Sequence, residues 1–190
     1  MELGAHVRRA RRLALTLTFL SLVTRPCAAD PQWHAAIASG ACAHDESDTA
    51  VALHWCSSLG GHLLLGRRRD LDLGLGSYLR ATHVREAGFS LGSGLSVLLP
   101  VNPTYPFILS GGTSLGPLDE PAAGAEAWLF WGPSSYNFHG SYSMASGFLA
   151  GFQRRFGREP ASTFSLMLQL DLAWPALPFI ALYELVRGAP

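Results

Sequence analysis

Residues 162 to 174, STFSLMLQLDLAW, alternate without a slip: Phe164, Leu166, Leu168, Leu170, Leu172 and Trp174 on one side, Ser165, Met167, Gln169, Asp171 and Ala173 on the other. A period of two belongs to a strand whose two faces meet different media. The same rhythm fills 33–42, 51–65, 70–82 and 87–99, where bulky apolar residues oppose glycine, serine, alanine and histidine. Further strands are predicted at 105–116, 122–132 and 136–156. Turn-forming clusters at 43–49, 67–69, 85–86, 102–104, 117–121, 132–135 and 157–161 separate the eight segments. Strands joined only to their neighbours make an all-β antiparallel meander. The segment 136–156 is too long for one membrane crossing, so a bend near Gly140 or a projection beyond the membrane is expected there.

The composition decides which medium the apolar faces meet. Only 15% of the residues are charged, none is lysine, and 20 are glycine; about a quarter are charged in a typical soluble domain. If the bulky faces formed a soluble core, the opposite faces would be water-exposed and rich in charge. They are instead small and nearly neutral. Reversing the picture resolves the conflict: the bulky face looks at lipid and the small polar face fills a narrow interior. The expected fold is an eight-stranded antiparallel up-and-down transmembrane β-barrel over 30–174. Aromatic placement agrees. Trp33, Tyr105, Trp131, Tyr136 and Trp174 fall beside one barrel end, and Trp55, Phe89, Phe152, Phe156 and Phe164 toward the other, as two interfacial belts would.

The first 29 residues read as a cleaved signal peptide. Arg8, Arg9, Arg11 and Arg12 form a basic region, 13–24 is an apolar run short of a spanning helix, and Cys27 and Ala29 are the small residues of a cleavage site. Cleavage takes away five arginines and Glu2, leaving nine arginines against thirteen acids and a net charge of −4. Nothing basic is left to attract nucleic acid. Export permits a disulfide between Cys42 and Cys56, whose spacing alone cannot prove it. At the other terminus, 175–190 leaves the strand pattern. A short helix with Pro178 at its first position and Gly188 just past its end is expected, with a ninth strand or an extension of the eighth as the alternative.

Over residues 33–174 the chain resembles the small outer-membrane β-barrels of Gram-negative bacteria, such as the membrane domain of the outer-membrane protein A class. The resemblance lies in the strand pattern. Those barrels end in a strand with a terminal aromatic residue; here LQLDLAW at 168–174 resembles that signal but lies inside the chain. The resemblance implies an outer-membrane location with membrane lipid as surroundings.

Two motifs bear on chemistry. GFSLG at 88–92 matches G-x-S-x-G, but a nucleophile elbow needs a strand–turn–helix context, and here the motif lies inside an alternating strand. In NFHGSYS (137–143), His139 and Ser141 share a strand face, which makes them a candidate base and nucleophile. That spacing is similar to the His-x-Ser of outer-membrane lipid A deacylases, themselves eight-stranded barrels. Tyr142 stands where that family has asparagine, and Gln153 about where its orienting glutamate would be, so the histidine lacks a carboxylate. By strand parity His139 and Ser141 face inward, while Tyr136, Phe138 and Tyr142 face lipid.

On the polar faces, Asp72, Arg80, Glu126, Arg155 and Asp171 point inward and are expected to pair with one another, because an unpaired charge in a tight barrel is costly. His34, His54, His62, Cys42 and Cys56 share one face of the first hairpin without metal-ligand spacing, so no metal and no cofactor is expected. The leading expectation is a small, non-enzymatic outer-membrane barrel with a structural or interaction role, toward an unidentified protein partner. The alternatives are a lipid hydrolase using His139 and Ser141, and an exported soluble barrel that binds an apolar ligand.

Overall fold

A computed structural model describes residues 31–46, 51–67, 71–85, 87–116, 122–137, 142–157 and 160–187. Among them are ten strands and one helix: β1 (Gln32–Glu46), β2 (Ala52–Leu65), β3 (Gly74–Val84), β4 (Gly88–Leu99), β5 (Phe107–Gly116), β6 (Ala122–Trp131), β7 (Ser134–Asn137), β8 (Tyr142–Ala145), β9 (Gly147–Arg155), β10 (Ala161–Asp171) and α1 (Ala173–Arg187). Each of β1 to β6 pairs antiparallel with its neighbour, β6 pairs with β9, and β9 with β10. The ring closes where β10 runs antiparallel to β1, from Ala36↔Asp171 to Glu46↔Ala161. The fold is therefore a closed eight-stranded antiparallel up-and-down barrel followed by a short C-terminal helix.

Side-chain alternation decides which face is which. On β10, Ala161, Thr163, Ser165, Met167, Gln169 and Asp171 are buried, while Phe164, Leu166, Leu168 and Leu170 are exposed. The alternation holds around the ring, with large apolar side chains outside on every barrel strand; the inward positions are mostly small or polar, except for a bulky apolar group that includes Leu64, Leu98, Ile108, Trp128, Phe130 and Leu149.

The segment 136–156, expected to bend near Gly140 or to project, takes in parts of three elements. β7 and β8 form their own hairpin, in register from Ser134↔Ala145 to Asn137↔Tyr142, and only β9 belongs to the barrel wall. The hairpin sits at the end that also carries the start of β1 and the end of β10. There the Ser134 N–H donates to the carbonyl of Thr104, and β8 meets β1 in parallel at Trp33↔Tyr142. Tyr142, expected to face lipid, is consequently buried. Tyr136 lies on the hairpin and not on the barrel wall.

The last strand also stops early. It ends at Asp171, and the helix starts at Ala173, so Trp174 is a helical residue and Pro178 lies inside the helix instead of opening it. The cause is local: the Asp171 carboxylate accepts the Ala173 N–H at 2.8 Å, capturing a backbone donor at the helix start as capping side chains do. The signal-peptide segment 1–29 and Gly188 lie outside the described residues.

Candidate functional site

Among the described residues, polar and charged side chains converge in the barrel interior. Its centre is a stack. The Trp128 ring lies directly against Gly151, where an added Cβ would come within 2.0 Å of the ring, and the Arg80 guanidinium carbon lies 4.8 Å from the ring centroid. Arg80 also donates to Ser58 Oγ at 2.9 Å. Beside the stack, the Glu126 carboxylate is pressed into the notch left by Gly92, accepting from Tyr78 at 2.7 Å and from Gln153 Nε2 at 2.8 Å. Only a residue without Cβ leaves room at either position. Two glycines that looked like filler thus let an indole and a carboxylate occupy a bore just wide enough for side chains.

Toward the hairpin end, His34 and His62 stack at 4.6 Å between ring centroids, and His62 Nδ1 bonds Ser96 Oγ, which in turn bonds Ser110 Oγ. Beyond them Leu64, Leu98, Ile108, Phe130 and Leu149 form a dry layer. Buried Arg67 covers this end with its guanidinium on Gln32 Oε1 and the carbonyl of Asp72.

Asp171 organises the hairpin end. It is fully buried and accepts from the Tyr142 hydroxyl, the Ala145 N–H and the Ala173 N–H. One oxygen pair thereby holds the end of β10, the β7–β8 hairpin and the first turn of α1. Ser146 Oγ seconds it, accepting from the Asp171 N–H and from Trp174 Nε1.

The opposite end is an open cup. His44, Ser90, Ser114, Gln153, Arg155 and Thr163 line a cavity of about 50 Å³ together with glycines and alanines. His44 Nδ1 bonds Thr163 Oγ1 at 2.8 Å, and Gln153 links the cup to Glu126 below. Just inside, Thr82 Oγ1 and Ser165 Oγ, and deeper the Gln169 amide, are buried without a hydrogen-bond partner among the described residues. Groups of this kind in folded proteins are ordinarily met by water.

The five charges expected to pair with one another lie at different levels of the bore. Arg80 and Glu126 share the central cluster without a direct ion pair among the described contacts. Asp171 is the hub of the hairpin end, Arg155 lines the cup, and Asp72 contributes its backbone carbonyl to Arg67. Cys42 and Cys56 are joined by a disulfide, with Cα atoms 5.9 Å apart. Among the described residues no three His, Cys, Asp or Glu side chains gather as a metal site needs. Ser90 of GFSLG lies within β4, hydrogen-bonded toward the Thr82 carbonyl and Gln153, with no turn or helix to present it. His139 and Ser141 fall outside the described residues. Gln153 bonds Glu126 and Ser90.

Outside the barrel, Trp33, Trp55, Tyr105, Trp131 and Trp174 are all exposed, as are Phe89, Phe152, Phe156 and Phe164. Tyr105, Phe107, Trp131 and Phe148 form a run of ring contacts along the hairpin end. Sequence reasoning missed the Asp171 hub and the Trp128 stack. Comparison with known proteins gives no matching family model, no matching curated protein and no matching solved structure.

Proposed function

We propose that this protein is a small outer-membrane β-barrel of a Gram-negative bacterium, exported with a cleaved leader, whose role is structural or interactive and not catalytic. The observation that carries the reading is the outer wall. Every barrel strand exposes large apolar side chains, from Ile37 on β1 and Leu59 on β2 through Leu79, Leu95, Leu109, Leu129 and Phe152 to Leu168 on β10, with Leu95 at 73% and Leu168 at 61% exposure. A soluble monomer rarely shows an apolar patch beyond a few hundred Å²; here the apolar surface encircles the molecule. Lipid resolves that cost, and ring closure meets the second demand of a bilayer, that every backbone polar group be satisfied internally. The interior supports the non-enzymatic part. Arg80, Glu126 and Asp171 are held by buried hydrogen bonds to neutral neighbours, and the side chains nearest the centre are held in a packed stack.

The test is fractionation. The protein should require detergent for extraction from outer membranes and migrate faster on gels unboiled than boiled, as a folded barrel does. Recovery in the soluble periplasmic fraction would overturn the reading in favour of an exported soluble barrel. Release of fatty acid from lipid A that is lost in Ser141→Ala and His139→Ala would overturn the non-catalytic part.

A further inference from the structure

The helix α1 is at odds with the rest of the chain. Its 15 residues, AWPALPFIALYELVR, contain two charged residues, Glu184 and Arg187. At 100° per residue, Trp174, Phe179, Leu182 and Tyr183 are spread over half of its circumference, and all four are more than half exposed. A helix with so broad an exposed apolar face and so few charges belongs in an apolar surrounding. A protein groove would take only one side of such a helix and leave the other in water. With a length of about 22 Å it is too short to cross a hydrocarbon core of about 30 Å.

Its starting point is fixed. The Asp171 and Ser146 contacts lock Ala173 and Trp174 to the barrel end where Trp33, Tyr105 and Trp131 stand outward. On the reading of the barrel as membrane-embedded, those aromatics mark the level of one bilayer interface, and α1 leaves the barrel at that level. Arg187 stays at the surface, its guanidinium carbon 5.8 Å from the Tyr183 ring centroid.

From this we infer that α1 is a second membrane element: it lies in the plane of the leaflet at the hairpin end, submerged among the acyl chains, with Arg187 reaching the headgroups. The ligand of this surface is the lipid bilayer itself. The inference rests on the membrane reading of the barrel but adds a segment that no strand pattern implies.

The test is depth-resolved quenching. On the full chain carrying Cys27→Ser, single cysteines replace Phe179, Leu182, Tyr183 and, as a barrel control, Leu168. Each is labelled with an environment-sensitive fluorophore, the Cys42–Cys56 bridge leaving no competing thiol, and the protein is reconstituted in phosphatidylcholine–phosphatidylglycerol vesicles. Nitroxides placed shallow in the lipid should quench all three helix labels several-fold more strongly than nitroxides at the bilayer centre, and aqueous iodide should barely quench them. The Leu168 label should respond most to the central nitroxide. Iodide quenching of any helix label as strong as that of free dye, with the Leu168 label still lipid-quenched, would overturn the placement of α1 and leave the barrel reading standing. Protection of the helix labels from both quenchers, which a protein partner or a second copy would produce, would overturn it equally. A Leu168 label reached by iodide and not by lipid nitroxide would sink both.

Discussion

The half of the interior nearest the hairpin is filled by Leu64, Leu98, Ile108, Phe130 and Leu149 and tied down by Asp171, whereas the opposite half is lined by His44, Ser90, Ser114, Gln153 and Thr163 and opens into a small cup. Both halves are built on the same eight strands with the same alternation. Only the size and polarity of the inward residues differ. Where they are large and apolar, they close the bore by packing; where they are small and polar, hydrogen bonds and solvent have to complete it. The Arg80–Trp128–Gly151 stack marks the boundary. Closure of this barrel is therefore one-sided.

The sharpest way to break this contrast is at the boundary. Trp128→Ala removes the ring that fills the space over Gly151 and should cost about 4 kcal/mol, the usual loss for a truncated core tryptophan. Chemical unfolding in detergent micelles would read it. A loss below about 1 kcal/mol would mean that the two halves are not separated by packing at all.

Next comes the latch. Asp171→Ala strips a hydroxyl and two backbone N–H groups of a buried charged acceptor and should cost about 3 kcal/mol, since bonds to charged groups are the stronger ones. Hydrogen exchange should show the Ala145 and Ala173 amides losing protection while mid-barrel amides keep theirs. Uniform loss would assign Asp171 to the barrel and not to the hairpin end.

The disulfide lies on the cup side of the stack. Cys56→Ser should cost about 2 kcal/mol, at the lower end of the usual range for a bridge closing a short loop. The variant should also yield one alkylatable thiol at Cys42, where the unaltered folded protein yields none. Two reactive thiols in the unaltered protein would rule the bridge out.

The smallest effect belongs to the cup. Thr163→Val removes the partner of His44 with little change of shape and should cost about 1 kcal/mol or less, because solvent at the mouth can replace the bond. A loss equal to that of Asp171→Ala would erase the distinction between a wet end and a latched one.

Most of the barrel was legible in the sequence because a strand with two unlike faces writes its period into every second residue. STFSLMLQLD in β10 and GLGSYLRAT in β3 needed no partner to be read. The hairpin escaped because 142–156 keeps alternating through the join between β8 and β9, so parity alone runs straight past it. Gly132 and Gly147 carry the close approach of the neighbouring backbones just past the last β6–β9 pair: an added Cβ on Gly132 would lie 2.2 Å from the Ser146 carbonyl oxygen, and one on Gly147 would lie 2.4 Å from that of Trp131. The role of Asp171 was hidden for a related reason. Its place on the inward face is a matter of period, but its partners Tyr142 and Ala145 are distant in the chain, and only the folded hairpin brings them near.

The seam between β1 and β10 also constrains the history of the molecule. Ala36 cannot find Asp171 until nearly the whole chain has been made, and until then β1 has one edge of unpaired amides and carbonyls. Contacts so far apart in sequence form slowly, and a free strand edge is a template for pairing with any other chain. Until the two ends of the sheet meet, a newly synthesised molecule therefore keeps that edge open to pairing with other chains.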